Sequence, residues 1–189
     1  HIELSNIRYV SSWRAKPERT SIMPETVPGE VGVRGERAGD LVAIDSELRG
    51  SVSEWLGKLG IARGLSIKMK GDSDYSIDVE NRAGHRGNIL YMGTGVPQAL
   101  PVVVQGLSLP PGGVFLAEQP ETDLNPSAQS NLGDFFAHVA RDPGPGGERR
   151  QVIVETHSEH ILSRLRTRIA EGELDPAEVA VYYCALGEG

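Results

Sequence analysis

VFLAEQPETDLNPSAQ, residues 114–129, is the stretch on which the fold turns. Val114, Phe115, Leu116 and Ala117 have the length and the β-branched or aromatic character of a buried strand, and the chain then becomes abruptly acidic at Glu118. Glu118, Gln119, Pro120 and Glu121 set two carboxylates and an amide within four residues, and Pro120, which has no N–H, ends the ladder. In an open parallel sheet, ligands bind beyond the carboxyl ends of the strands, so this acid stands where a site is expected. Asn125 and Pro126 read as an N-cap and a first helical residue, and Leu132, Phe135, Phe136 and Val139 follow at helical spacing.

A second unit of the same kind comes after the exposed loop 142–147, DPGPGG. Residues 151–154, QVIV, predict a second buried strand that ends in Glu155, Thr156, His157, Ser158, Glu159 and His160. Two strand-to-helix units in succession call for right-handed crossovers and a parallel sheet. Thr156 with Glu159 fits a capping box. Ile161, Leu162, Leu165 and Ile169 continue the helix inward, with Arg164, Arg166 and Arg168 expected outward. Residues 179–186 predict a last apolar strand.

Upstream, ILYMGTGVPQALPVVVQGLSLPP at 89–111 places Gly93 and Gly95 in a turn, Pro97 in a first helical turn, and Leu100, Val103, Val104 and Leu107 on an apolar helical face. Free N–H groups at such a helix start, with the helix dipole, attract an anion. Leu65, Ile67 and Met69, then Tyr75, Ile77 and Val79, alternate with polar residues on either side of Gly71–Asp74, which predicts a hairpin with one buried face, inserted beside the parallel sheet. Leu41, Ile44, Leu48, Val52, Trp55, Leu56 and Leu59 describe one face of a helix, or of two helices broken near Gly50, with Trp55 in the core. Residues 1–39 begin with an apolar run, 2–10, and continue as a loop rich in Pro, Arg and Gly, in which Arg8, Arg14, Lys16 and Arg19 are expected as solvated charges, with contact to an anion as the other reading.

The 189 residues suit one domain or a piece of a larger one, and the composition allows a real core. A formal charge of −7 argues against a generally basic nucleic-acid surface. The single cysteine, Cys184, cannot close an internal disulfide, which fits a reducing cytoplasm. No apolar run is long enough to span a bilayer. The first residue is His1 and not Met, which favours a trimmed or incomplete sequence.

The Val114–Pro126 stretch resembles the Walker B segment and following loop of ABC-type AAA ATPases of the SMC, RecF and OLD group, with Asp123, Leu124, Asn125 and Pro126 in place of a His-Leu-His-Pro-like run. Gly93, Gly95 and Gln98 are similar to that group's signature motif, which contacts nucleotide on the opposite subunit; Pro97 stands where the family has Ser, removing a hydroxyl and an N–H donor. The short connection between the two motifs, and Thr-His-Ser after the next strand, strengthen the resemblance, and His157 resembles the switch histidine. It implies a P-loop NTPase-like α/β fold with a mainly parallel sheet, crossover helices and a β-hairpin insertion. Residues 1–88 would be the upstream helical and hairpin region, and 89–189 the C-terminal lobe, of one incomplete domain.

Carried over, the resemblance implies ATP and Mg²⁺ as ligands. Glu118 would be the magnesium-shell acid, acting through water, Gln119 the water-side residue and His157 the γ-phosphate sensor. An amide cannot act as a general base but can orient water, so slow hydrolysis is expected, with Glu121 as a substitute base. No G-x-x-x-x-G-K-[ST] run, the Walker A phosphate cradle, occurs in the sequence. Three functions stay open. One is a portion of a cytoplasmic ATPase that dimerises or assembles further around ATP and drives a DNA-directed or phage-defence partner such as a nuclease. Another is a degenerate ATPase-fold interaction module. The third is a metal-dependent hydrolase built on Glu118, Glu121, Asp123, Glu155, His157 and His160.

Overall fold

Apolar runs that end in polar residues become parallel strands in this chain, and alternating runs become antiparallel ones. The computed structural model describes residues 6–143 and 147–185; the start of the first apolar run (2–5), part of the Pro/Gly loop (144–146) and Leu186 lie outside the described residues. In chain order the elements are β1 (Ile7–Val10), β2 (Ser21–Ile22), α1 (Ala38–Ile44), α2 (Ser46–Lys58), β3 (Gly64–Met69), β4 (Asp74–Glu80), β5 (Arg86–Asn88), α3 (Gly95–Leu107), β6 (Val114–Glu118), α4 (Pro126–Arg141), β7 (Gln151–Glu155) and α5 (Glu159–Ala170). Single 3-10 turns stand at Ile89–Tyr91 and Pro176–Glu178.

The parallel sheet has the order β1-β6-β7. Ile7 pairs Val114 and Val10 pairs Ala117 on one side of β6; Val114 pairs Gln151 and Glu118 pairs Glu155 on the other. All three carboxyl ends therefore meet at one edge. The hairpin forms as expected, β3 against β4 from Gly64↔Glu80 to Met69↔Tyr75, but it is part of a four-stranded antiparallel sheet that also takes in β2 and β5. These two extra strands have only two and three residues, too short for a periodic signal.

The core lies between the sheets and helices. Val102, Val103 and Val104 of α3, Phe115 of β6, and Leu132 and Phe135 of α4 are completely buried. Gly106 lets α4 come close, since a Cβ there would stand 2.6 Å from Phe135 Cζ. Trp55 meets the Phe135 ring edge-on, with centroids 5.1 Å apart, so its expected core place holds. Gln105, also buried, accepts the Val31 N–H at 3.1 Å and ties the loop before α1 to α3.

Several expectations need correction. The break between α1 and α2 falls at Asp45 and not near Gly50, because the Asp45 carboxylate caps α2 by accepting the N–H groups of Glu47 and Leu48, both at 2.9 Å. Ile44, next to that break, is exposed. At the start of α5 no Thr156–Glu159 box forms: Ser158 is the N-cap and accepts from Ile161 N, while Thr156 Oγ1 accepts from Ser158 N. Arg164 and Arg168 do not face solvent but pair with Asp134 of α4, at 2.6 and 2.7 Å. Among the described residues β7 stands at the edge of its sheet, and its Ile153 is 55% exposed. Residues 179–185 form no strand; Val181, Tyr182 and Tyr183 stand exposed, with no partner strand among the described residues to hold them in a ladder.

Candidate functional site

Polar residues gather where the carboxyl ends of β1, β6 and β7 meet. Glu118, the last residue of β6, accepts the Ser12 N–H at 3.3 Å and the Tyr9 hydroxyl. The Tyr9 hydrogen bond first, then the Ser12 N–H, hold the Glu118 carboxyl below the usual carboxylate range, with the charge of Arg14 adding to them. The same hydrogen bond to Glu118 pushes the Tyr9 phenol above its ordinary value. Glu118 is thus kept ionised at the mouth of the sheet.

The backbone turns sharply just after it. Gln119 has φ +40° and Asp123 φ +60°, left-handed conformations unusual for non-glycine residues. The turn is held from several sides: Gln119 N donates to Glu155 O at 2.8 Å, and Gln119 O accepts Thr122 N at 3.2 Å and Thr122 Oγ1 at 2.9 Å. Glu121 curls toward β7, where its Oε1 accepts the His157 N–H at 2.9 Å; its Oε2 is buried without a hydrogen-bond partner. The His157 ring itself stands out in solvent, with Nε2 3.6 Å from Glu155 Oε1. Below it, Ser158 Oγ donates to Gln129 Oε1 at 2.8 Å, and Gln129 Nε2 donates to Leu124 O, so the two strand-to-helix turns are knitted together.

The start of α3 reaches the same edge. Gly93 has φ +83°, which a turn here requires, and a Cβ on Gly95 would lie 3.6 Å from Leu124 Cδ2. Thr94 precedes the helix without a side-chain cap, and Pro97 has no N–H, so Gly95 and Val96 supply the first-turn donors. Gln98 Oε1 accepts from Arg14 Nη1 at 3.4 Å.

The structure thus brings Glu118, Gln119, Glu121, His157, Gly95 and Gln98 to one end of the fold. Among the described residues, no three His, Cys, Asp or Glu side chains are placed to hold a metal ion, so the six-residue hydrolase site has no ligand set. Tyr9, Ser12 and above all Arg14 were missed in the sequence. Expected as a solvated loop charge, Arg14 is 4% exposed. The signal was present: the rule that singled out Glu118, polar residues just past an apolar strand, applies equally to Ser12 and Arg14 after Ile7–Val10.

Known proteins share this architecture. The Smc head domain from Pyrococcus furiosus, solved with the C-terminal domain of ScpA, superposes with TM-score 0.50 at 13% identity, over 70% of this chain and 33% of that one. The Smc head from Pyrococcus yayanosii, with its coiled coil and joint, gives 0.50 at 14% identity, over 70% of this chain and 26% of that one. A structure from work on ATP-driven dimerization and DNA-stimulated activation of SMC ATPases gives 0.52 at 14%, over 67% of this chain and 77% of that one. The chain spans about a third of the first of these, and the likeness is one of fold. No curated protein matches it. The family model described as AAA ATPase domain matches residues 40–162, which run from within α1 through β7 to the start of α5, and this chain belongs to that family.

Proposed function

We propose that this chain carries the acid and sensor side of an ATP site, within an ATPase of SMC-like type that hydrolyses ATP slowly. The observation that supports the reading best is the paired end of β6 and β7: an ionised Glu118 opposite Glu155, with Glu121 bound to the backbone of His157. Membership of the AAA ATPase domain family supports nucleotide as the ligand.

Glu118 suits a magnesium shell, because it is a hard oxygen donor held charged, and Mg²⁺ is commonly bound by one or two carboxylates plus water and phosphate oxygens. When bound, the ion neutralises charge on the phosphate oxygens. Gln119 would orient the attacking water and His157, exposed at the end of β7, would reach the γ-phosphate. The water oxygen bonds to the γ-phosphorus, the bond to the β,γ-bridging oxygen breaks, and ADP and phosphate leave. The Glu121 carboxylate, one oxygen already engaged, is the remaining candidate base. Gly93, Gly95 and Gln98 would meet nucleotide on a second subunit, as the signature-like spacing suggests.

In this reading residues 1–88 and 89–189 are two parts of one ATPase domain, with the phosphate cradle supplied by a segment other than these 189 residues. The assembly is a homodimer or larger oligomer, coupled in the cytoplasm to DNA or to a nuclease in an OLD-like, phage-defence role. Support for the dimer comes from a structural neighbour solved in work on ATP-driven dimerization of SMC ATPases. The exposed, free Cys184 fits a reducing compartment, and among the described residues no helix is long and apolar enough to cross a membrane.

Calorimetry of Mg²⁺–ATP binding tests this, on this chain and on the chain extended upstream. Binding by the extended form, with turnover lost in Glu118→Gln, supports it. Binding by neither form would leave the second reading, an ATPase fold kept for contacts.

A further inference from the structure

Arg14 is the most deeply buried charge in the site, at 4% exposed, and four of its five hydrogen bonds run to residues distant in sequence. Its Nη2 donates to Glu118 O at 3.0 Å and to Gln119 O at 3.3 Å. Its Nη1 reaches Gln119 O at 3.3 Å, Gln98 Oε1 at 3.4 Å and Ser12 O at 3.5 Å. Burial lowers the pKa of the guanidinium, opposed by the nearby charges of Glu121 and Glu118. A planar fork with fixed donors can bridge three chain segments at once, which a lysine ammonium, a flexible point charge, cannot reproduce.

We propose that Arg14 is a positioning residue that clamps the start of α3 to the end of β6, holding Gln119 in its left-handed conformation and thereby the reach of Glu118 and Gln119. This rests on the function proposed above. The argument is one of over-determination. A non-glycine residue at φ +40° is strained and persists only if its surroundings impose it. Gln119 N is fixed by β7 and Gln119 O by Thr122, but those contacts lie within or beside the turn itself. Among the described residues, only Arg14 ties the turn to both the β1 loop and Gln98. A shift of α3, on which Gly95 and Gln98 sit, is transmitted through this fork to the residues proposed to hold magnesium and water.

Hydrogen exchange on the full 189-residue chain reads the clamp without nucleotide. Arg14→Gln should speed exchange of the Gln119 and Thr122 amides about tenfold or more, the effect of losing one charge-assisted hydrogen bond, while β3 and β4 amides keep their protection. Arg14→Lys should show a smaller loss at the same two amides. Gln98→Ala, which leaves the core untouched, should loosen them less again, and its effect should vanish in the Arg14→Gln background. Unchanged exchange in all variants, or a uniform loss across both sheets, overturns the clamp; if Arg14→Gln does not fold, the Arg14→Lys and Gln98→Ala pair decides. In the nucleotide-binding form, Arg14→Gln should lower kcat about tenfold with the KM for ATP changed less than about threefold. If the upstream-extended wild-type protein binds no ATP while the variants still show the local exchange pattern, the ATPase reading is rejected and the clamp is kept.

Discussion

β6 and β7 are neighbours of equal length, parallel and in register from Val114↔Gln151 to Glu118↔Glu155, yet they live in different surroundings. β6 has a strand on each side, and Val114, Phe115 and Ala117 are buried. Among the described residues β7 has one neighbour, Val152 and Val154 are half-buried, and Ile153 looks out to solvent. The helices repeat the contrast: α3 buries nine of its residues, whereas α5 buries only Ile161 and docks on α4 through Asp134, Arg164 and Arg168. The comparison teaches that one half of this domain is held by apolar packing and the other by ion pairs laid over a thin apolar contact. An apolar run is buried by its neighbours and not by its own composition.

The contrast can be broken most severely on the packed side. Phe115→Ala empties a fully buried site and should cost about 3–5 kcal/mol, read as a lower denaturant midpoint. Asp134→Ala tests the other half, since it leaves two arginines of α5 without their shared acceptor; a loss of about 1–3 kcal/mol is expected, with exchange rising first in α5.

Acid sharpens the same point. Burial disfavours the charged form of Asp134, but the hydrogen bonds from Arg168 and Arg164 outweigh it and hold the pKa below its ordinary value. A depressed folded-state pKa gives stability that is present above the unfolded value, about 3.9, and lost as pH falls through the folded one. The α4–α5 contact should therefore weaken below about pH 4, before the α3–β6 core does, in a pH series followed by exchange. Asn125→Ala removes the cap on α4, where Asn125 Oδ1 accepts Ala128 N at 3.0 Å, and should cost about 1 kcal/mol in thermal melts. Ile153→Ala should change stability by no more than about 0.5 kcal/mol. A large loss there would show that the outer face of β7 is covered in solution.

Much of the site was legible because it follows local rules. Glu118 falls at the end of an apolar run, Asn125-Pro126 carries its own capping chemistry, and β6 begins and ends where the pattern places it. Arg14 was read as solvated because its place just past an apolar strand marks the mouth of a sheet but says nothing of burial; its acceptors on α3 and β6 are more than eighty residues away. The Thr156–Glu159 box failed for a related reason. Ser158 was the better-placed cap once Gln129 had taken its hydroxyl, a contact no local pattern contains.

What the sequence determined by itself was the pair of strand-to-helix units β6–α4 and β7–α5, the place where their strands end and the identity of the acid and amide placed there. These depend on periodicity, on proline's missing N–H and on cap chemistry, all of which act within a few residues. Tertiary structure alone decided which strand became an edge, which arginines were drawn inward, and that Gln98, Arg14 and Glu118 would share one corner. Those outcomes depend on pairing between segments far apart in the chain, where burial and charge are settled by whatever packs alongside.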